Sequence, residues 1–339
     1  MRPAGWSAIV PDASDAPAVS DAGVFEAHRD FLFAVAYRML GTITDAEDAV
    51  QDAWLRWSAA PHSHVVDQRA YLARVVVNTA LNRLRAARAH REAYVGPWLP
   101  EPLLTEAGSD PAERAELAES VSMAMLVVLE SLTPDERAVF VLREVFGFSH
   151  AEIGAALGRP DAAVRQLAHR AREHVQARRP RFDVDWNQQR EVTERFIIAA
   201  AGGDIAGLMS ALAPDVTLLT DGGGKAKAAL RPITGADKVA RFIAGIATRP
   251  YLGTDIAAMS IDAAEINGTP GTLISAGGQP VAVVTMAIAD GRITAIQLLA
   301  NPDKLRAVAS GRKLVPVSPP ARHREAAADH GARRGRLPA

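Results

Sequence analysis

Residues 149–175 read SHAEIGAALGRPDAAVRQLAHRAREHV, and this stretch decides the fold of the region around it. Apolar residues recur with helical spacing over Ser149–Leu157 and again over Asp161–Val175, on either side of the turn Gly158-Arg-Pro160. Gly158 can adopt the left-handed conformation that ends a helix. The apolar positions are Ile153 and Leu157 in the first helix and Val164, Leu167, Ala168, Ala171 and Val175 in the second. The spacing therefore predicts a helix-turn-helix.

The opposite face of the second helix is polar and basic. It carries Ala162, Arg165, Gln166, His169 and Arg170. In a recognition helix, an arginine pairs with guanine and a glutamine with adenine, each worth about 1–3 kcal/mol of discrimination. Further arginines are placed for phosphate contacts, which set register: Arg172, Arg178, Arg179 and Arg181. Taken alone, such a helix is also typical of a solvated surface, but the tight turn and the two apolar faces favour DNA reading.

Helix starts are clearly marked in the first half of the chain. A capping residue stands three positions before a glutamate at Thr44, Asp110, Thr133 and Ser149. Each pair can satisfy the free N–H groups of a first helical turn, and each opens an apolar-periodic segment. The sequence therefore predicts two all-helical regions, about 23–93 and 110–179, joined by a linker rich in proline and glycine.

The helix from Thr44 to Trp57 has an acidic face. It carries Asp45, Glu47, Asp48, Gln51 and Asp52, with Val50, Trp54 and Leu55 predicted beneath them. The face fits either a solvated surface or a docking surface for a protein partner.

The next helix, from Asp67 to about Arg91, is basic. Its predicted exposed positions include Arg74, Asn78, Asn82, Arg83, Arg85, Arg88 and Arg91, with Tyr71 near its start. Unstacked bases bind on aromatic and guanidinium planes, so this row suits a separated DNA strand. His62 and His64 precede it without acidic or cysteine companions at ligand spacing, so no metal site is predicted.

Composition limits the function classes. The chain has 339 residues, 48% of them hydrophobic, a net charge of −1 and no cysteine, which excludes disulfides and thiolate chemistry. Any contact with nucleic acid must come from local basic patches. We find no pattern of a signal peptide or a membrane span, so the expected location is the cytoplasm and no membrane contact is expected.

The segment after about residue 190 changes to short strand-like runs separated by glycine and aspartate turns: Val216–Thr220, Thr272–Ser275, Val281–Ile288 and Ile293–Leu299. Acid–base catalysis here would need a tuned acid or base in a pocket. The segment has no histidine between His174 and His323, and its only tyrosine is Tyr251. Its candidate carboxylates are Asp221, Asp255, Asp262 and Glu265. None stands in a decisive motif, so no catalytic residue and no cofactor are predicted.

The helical regions resemble a known family. The segment Asp45–Trp54 resembles the polymerase-binding helix of sigma region two, and Tyr71–Arg85 resembles the part that melts and reads the −10 promoter element. Leu132–Arg143 and Val164–Arg172 resemble sigma region four, which reads the −35 element. The layout without region three is that of the extracytoplasmic-function (ECF) sigma factors.

Three short segments resemble signatures of the ECF subgroup with a fused C-terminal SnoaL-like (NTF2-like) domain. They are Trp98-Leu99-Pro100-Glu101-Pro102, Asp221-Gly222-Gly223-Gly224-Lys225 and Asn301-Pro302-Asp303-Lys304-Leu305. The resemblance implies that the fused α+β cone contacts the sigma half at these segments and sets its activity. A glycine triplet is otherwise most simply a flexible turn, and its spacing excludes a phosphate-binding loop.

By the same resemblance, Asp45, Glu47, Asp48, Gln51, Asp52 and Trp54 bind the β′ clamp helices of core RNA polymerase, and region four docks on the β flap. Tyr71, Arg74, Asn78, Asn82, Arg83 and Arg85 face the −10 strand, with Asn78 gripping an extruded base.

The predicted organisation has six parts: a disordered leader (1–22), region two (23–93), a linker (94–112), region four (113–181), the SnoaL-like domain (190–306) and a flexible tail (307–339). Two other classes stay open: a helix-turn-helix regulator with a ligand-sensing domain, and an enzyme with a DNA-binding appendage. The sequence also leaves open whether the C-terminal pocket binds a small ligand.

Overall fold

Three helices form the first domain of the computed structural model, which describes residues 21–59, 65–105, 117–178, 185–247, 250, 255 and 258–314. They are α1 (Asp21–Leu40), α2 (Ile43–Ser58) and α3 (Gln68–Glu92). Their apolar faces enclose Tyr37, Trp57 and Leu72, which have no exposed surface.

Helix α2 begins earlier than its sequence predicts. Its N-cap is Thr42, in extended conformation, and not Thr44. The reason is burial: Ile43 is 5% exposed, and its N–H group donates to the Glu101 carboxylate at 2.8 Å. A first turn at Ile43 therefore places an apolar side chain in the core.

The described part of the second domain includes a helical stretch at residues 117–121 and the helices α4 (Met123–Glu130), α5 (Pro134–Phe140), α6 (His150–Leu157) and α7 (Asp161–Arg178). A single π-helical turn, Val141–Val145, follows α5. The capping boxes at Thr133 and Ser149 are both formed, and Gly158 ends α6 in the left-handed conformation with φ 64°. The predicted helix-turn-helix is confirmed; the predicted box at Asp110–Glu113 lies outside the described residues.

The third domain combines helices and one mixed sheet. Its helices are α8 (Trp186–Ala201), α9 (Ile205–Ala211), α10 (Ala236–Ala247) and the short α11 (Arg306–Ala309). The strands are β1 (Leu104–Thr105), β2 (Leu212–Asp221), β3 (Ile233–Thr234), β4 (Ser260–Ile266), β5 (Thr269–Ala276), β6 (Gln279–Ala289), β7 (Arg292–Leu299) and β8 (Lys313–Leu314).

The eight strands lie in the order β3-β2-β7-β6-β5-β4-β1-β8. Strand β1 belongs to the linker between the two helical domains, yet it pairs antiparallel with β4 and parallel with β8. The linker is thereby part of the third domain's sheet.

The two faces of the sheet pack against different partners. One face packs with α8 and α10 around Phe196, Val239 and Met286. The other face supplies Val283 and Leu299 to a second cluster that is continuous with the helical domains and the linker. The predicted fold class, two helical domains followed by an α+β domain, is confirmed.

Ordered elements extend past two of the boundaries expected from the sequence. Helix α8 begins at Trp186, before residue 190, because Asp185 caps it through the N–H groups of Asn187 and Gln188. Residues 307–314, expected in a flexible tail, lie in α11, a turn and β8; Leu314 is 2% exposed and β8 has β1 as a partner. The leader residues 1–20 and the tail residues 315–339 lie outside the described part.

Candidate functional site

A buried carboxylate joins the linker to the third domain. The side chain of Asp221, at the end of β2, has no exposed surface. Its Oδ2 atom accepts the N–H of Leu99 at 2.9 Å and the Lys304 ammonium at 2.8 Å. Its Oδ1 atom accepts the hydroxyl of Tyr94 at 2.6 Å and the N–H of Gly223 at 3.0 Å. Full hydrogen bonding of this kind compensates a buried charge for its lost hydration.

Lys304 completes the same cluster from the other side. Its Nζ atom donates to the carbonyl of Leu99 at 2.5 Å and lies 4.1 Å from the Trp98 ring centroid and 4.8 Å from that of Tyr94. A desolvated ammonium gains from the negative faces of such rings. We call Tyr94, Trp98, Leu99, Asp221 and Lys304 the linker clasp.

The glycine triplet has a packing role in this structure. Gly223 has φ 57°, and a β-carbon there would lie 2.2 Å from the Asn301 side-chain nitrogen and 3.0 Å from the Tyr94 hydroxyl. That Asn301 amide donates to the Tyr94 hydroxyl at 2.8 Å. Lys225, at the exposed end of the loop, forms an ion pair with Asp303. The loop is shaped by close contact, which the interpretation as a flexible turn missed.

The three signature segments therefore converge at one place. Leu99, Pro100, Pro102, Gly222 and Leu305 are buried as well, Trp98 and Glu101 are half-buried, and Gly224 and Pro302 are exposed.

A second joint lies further along the linker, at Asn267 in the turn between β4 and β5. Asn267 is fully buried and has φ 51°. Its side chain donates to the Tyr37 hydroxyl at 2.8 Å and to the Val121 carbonyl at 3.0 Å, and it accepts the Leu103 N–H at 2.9 Å. One residue of the third domain thus contacts region two, the linker and the start of region four. The pair Asn267-Gly268 is a hairpin turn signal, but nothing in the sequence shows these long-range contacts.

Helix α3 presents only part of its predicted DNA-reading row. Arg74, Asn82 and Arg85 are exposed, and Tyr71 is half-buried against Trp57. Asn78 donates to the carbonyl of Ala156 in α6 at 3.2 Å, so a second helical domain lies across it. The side chains of Arg88 and Arg91 lie outside the described part, as do His62 and His64.

Arg83 joins the basic row to the acidic face of α2. Its guanidinium lies 3.7 Å, 3.2 Å and 3.0 Å from the carboxylates of Asp45, Asp48 and Asp52. Burial lowers the pKa of Arg83, but the hydrogen bonds to Asp52 and Asp48 together with their charges raise it above its ordinary value. The residue predicted for DNA and three of those predicted for polymerase therefore form one charged network.

The other residues of the acidic face differ in their surroundings. Glu47 contacts Arg29 at 3.6 Å and is paired with Arg312, while Gln51 is exposed. Trp54 packs edge to face with Phe25, with centroids 5.1 Å apart. Leu55 was predicted beneath the face but is 57% exposed, because it points to the far side of α2 from the buried Ala53 and Trp57.

Helix α7 has the buried and exposed positions that its spacing predicted. Val164, Leu167, Ala168, Ala171 and Val175 are buried. Ala162, Arg165, Gln166, His169 and Arg170 are exposed, and Arg172 is half-buried. Several of these side chains pair with carboxylates: Arg165 with Asp161 at 2.7 Å, Arg170 with Glu136 at 3.3 Å and Arg172 with Glu144 at 2.9 Å. Arg179 and Arg181 lie outside the described residues.

The two helical domains also contact each other directly. Asp135 at the start of α5 accepts from Arg85 of α3 at 3.2 Å and is paired with Arg159 of the helix-turn-helix. These residues line a cleft of about 730 Å³ that Gln166 and Arg170 also face. No sequence signal marked Asp135 beyond its place in a capping box.

The two domains also share a buried contact. Arg137 of α5 is 2% exposed and donates to the Met39 carbonyl at 2.8 Å and to Glu130 at 2.6 Å. Burial lowers the pKa of Arg137 to about 9. Phe31 of α1 packs edge to face with Phe146 after the π-helical turn, with centroids 5.2 Å apart.

The carboxylates considered for catalysis do not share a pocket. Asp221 is in the linker clasp, Asp255 and Asp262 are exposed, and Glu265 is half-buried on β4. Tyr251 lies outside the described residues. Among the described residues we find no group of three or more histidine or acidic side chains that could hold a metal. Within the same residues no helix is both long and apolar enough to cross a membrane.

Comparison with known families agrees with this geometry. Residues 24–90 match the model for Sigma-70 region 2, and residues 122–175 match that for Sigma-70 region 4. These two regions define a bacterial sigma factor.

Whole-chain relatives narrow the class. The ECF RNA polymerase sigma factor SigJ of Mycobacterium tuberculosis is 41% identical over 292 residues, which are 83% of this chain and 91% of that protein. The probable ECF RNA polymerase sigma factor SigI of the same species is 34% identical and covers 85% of this chain and 96% of its own. The crystal structure of SigJ superimposes with a TM-score of 0.67, at 38% identity, over 87% of this chain and 100% of that one. This chain belongs to the ECF family and is an alternative sigma factor with a C-terminal NTF2-like domain.

Proposed function

We propose that this sigma factor initiates transcription with core RNA polymerase and that its own C-terminal domain sets that activity. In the proposal, the acidic face of α2 binds the β′ clamp helices and region four docks on the β flap. Helix α3 reads the −10 strand through Arg74, Asn78 and Asn82, and helix α7 reads the −35 duplex through Arg165 and Gln166.

The linker clasp is the observation that carries the regulatory part. Leu99 lies between the two DNA-reading domains along the chain, and both its N–H and its carbonyl bond the C-terminal domain at Asp221 and Lys304. A linker held at both backbone groups restricts the distance and angle that the two domains can take. Flexible linkers lack this restriction and give a lower effective concentration at a fixed spacing.

The arrangement in this structure fits a closed state. The −10 and −35 elements are named for their positions, so they are about 25 base pairs apart. At the rise per base pair of B-form DNA, this separation is on the order of 80 Å. Here Asn78 of α3 lies 3.2 Å from Ala156 of α6. The two reading domains must therefore separate before both can occupy one promoter.

The charge balance supports dependence on polymerase. The net charge is −1, and several reading arginines are already paired with carboxylates. Because neutralised phosphates supply most affinity for DNA, the free protein should bind promoter duplex weakly. A regulator that binds its operator alone would lack this dependence.

We assign no catalytic step and no cofactor to the C-terminal domain. The carboxylate with the most hydrogen bonds, Asp221, is used by the linker clasp, and Asp262 is solvated. A general acid or base must reach its substrate, and both oxygens of Asp221 are engaged by hydrogen bonds within the protein.

Transcription in vitro with purified core polymerase tests the proposal. The full chain should initiate from its promoter, and Asp221→Ala should change the yield more than Lys225→Ala, since Lys225 is exposed and Asp221 is buried. Asp237→Ala, on the exposed surface of α10, is the matched control. Absence of promoter-dependent initiation would contradict the sigma assignment. Parent-level initiation from both loop variants would contradict regulation through the linker clasp.

A further inference from the structure

We propose that residues 306–314 form a latch over the polymerase-docking face of α2. In this latch, the Arg312 guanidinium pairs with the Glu47 carboxylate. The inference rests on the proposed function, because Glu47 is one of the side chains assigned there to polymerase binding. It adds a competitor for that surface supplied by the chain itself.

Arg312 is held in place by two groups of region two. Its guanidinium donates to the Glu47 carboxylate, and it lies over the Phe33 ring of α1 with 4.8 Å to the centroid. The second oxygen of Glu47 lies 3.6 Å from Arg29. Both carboxylate oxygens of Glu47 thus face cations, and only the Arg312 cation comes from outside region two.

The backbone of the latch is positioned independently of this ion pair. Val308 and Leu314 are 4% and 2% exposed and anchor the segment in the core shared with the sigma half. Gly311 turns the chain with φ 69°, and the Arg312 N–H donates to the Ala307 carbonyl at 3.0 Å. The position of Arg312 over Glu47 is therefore a consequence of how the segment folds.

The ion pair and strand β8 nevertheless lie where they can open. The side chains of Arg312 and Glu47 are 35% and 34% exposed, so water can replace either partner. Strand β8 has two residues and lies at the edge of the described sheet, next to β1. Short edge strands and solvated ion pairs open more readily than buried elements.

The chemistry of the surface defines the competing partner. Carboxylates on α2, flanked by the exposed Leu55, fit a basic protein helix with some apolar character. An arginine of the partner and Arg312 cannot both pair with the Glu47 carboxylate. Docking must displace the latch, which lowers the apparent affinity by the fraction of molecules in which the latch is open.

Equilibrium binding of the full-length protein to core RNA polymerase tests the latch. We expect Arg312→Gln to bind about 3- to 5-fold more tightly than the parent, the gain expected from removing a partly exposed ion pair and its closed population. Arg241→Gln removes the same charge from an exposed pair on α10 and should bind within about twofold of the parent. Parent-level or weaker binding by Arg312→Gln would overturn the latch.

Hydrogen exchange of the parent protein distinguishes a failure of the latch from a failure of the proposed function. The amides of residues 311–314 should exchange faster when core polymerase is bound, because docking opens the latch. Unchanged exchange at saturating polymerase would overturn the latch and leave the sigma assignment standing. A parent that does not bind core polymerase would overturn the proposed function, and the latch with it.

Discussion

Two sets of ion pairs help to hold the DNA-reading domains, and they differ in their exposure to water. In the linker clasp, Asp221 has no exposed surface and Lys304 is 6% exposed. At the face between the two domains, Asp135 bridges Arg85 and Arg159, whose side chains are 57% and 44% exposed. Buried pairs are strongly destabilised by loss of one partner, whereas exposed pairs contribute little. The first set therefore acts as a permanent joint and the second as a releasable contact.

The largest expected effect comes from breaking the permanent joint. Asp221→Ala removes the carboxylate that pairs with the buried Lys304 ammonium and accepts the Leu99 N–H, which should lower the free energy of unfolding by about 3–5 kcal/mol. Thermal unfolding beside Asp303→Ala, an exposed carboxylate that pairs with Lys225, measures the difference. Equal melting temperatures for the two variants would show that burial of the clasp has no energetic weight.

A second break removes the joint at Asn267. Asn267→Ala leaves the Leu103 N–H and the Val121 carbonyl without this partner, and alanine adopts the positive φ of 51° less readily than asparagine does. We expect a loss of about 2–4 kcal/mol. Asn267→Gly keeps the backbone conformation and removes the same side chain, so it should be less destabilised. A glycine variant that is less stable than the alanine variant would show that the positive φ at this position does not destabilise alanine.

Weakening the releasable contact should change the distance between the two domains more than it changes the free energy of unfolding. Asp135→Asn weakens the bridge to Arg85 and Arg159 and should change the free energy of unfolding by no more than about 1 kcal/mol. It should nevertheless open the domains, which an increase in the distance between fluorophores on α3 and α7 would report. Glu191→Gln, in an exposed pair on α8, is the control. A closed distance in both variants would mean that the buried contacts at Arg137 keep the domains together.

The smallest expected effect concerns the exposed pair Lys225–Asp303. The pKa of Asp303 lies below its ordinary value of 3.8, chiefly because Lys225 donates to it. Since the folded state holds this proton less tightly, the pair stabilises above that ordinary pKa and its contribution is lost as the pH falls through the folded pKa. Thermal unfolding between neutral and acid pH should show a slightly shallower loss in Lys225→Met. Identical slopes would assign the pair no weight.

Local pattern predicted the second domain almost completely. The recognition helix, its buried face, both capping boxes and the left-handed Gly158 all follow from spacing within a few residues of chain. The three signature segments are predicted only by a family resemblance, and the sequence does not predict the residues that complete their contacts. Tyr94, Asn267 and Asp135 act through partners far away in the chain, and a side chain's own neighbours in sequence do not encode such contacts.

The start of α2 and the fate of residues 307–314 were misjudged for the same reason. Thr44 has a good local capping pattern, but burial of Ile43 and its bond to Glu101 place the start at Thr42. The segment Lys313–Leu314 has no partner within its own stretch of chain; β1 of the linker provides one. Tertiary contacts override local preference where the two compete.

The pairing of β1 with β8 also sets an order of events during protein synthesis. Strand β1 leaves the ribosome before region four, while its partner Lys313–Leu314 is among the last described residues to be made. At ordinary elongation rates the intervening chain takes on the order of ten seconds to appear. After region four has been made and until Lys313–Leu314 appear, each new molecule has both reading domains and an incomplete sheet. The restraint on the sigma half is therefore added last, and every newly made copy passes through an unrestrained stage before it matures.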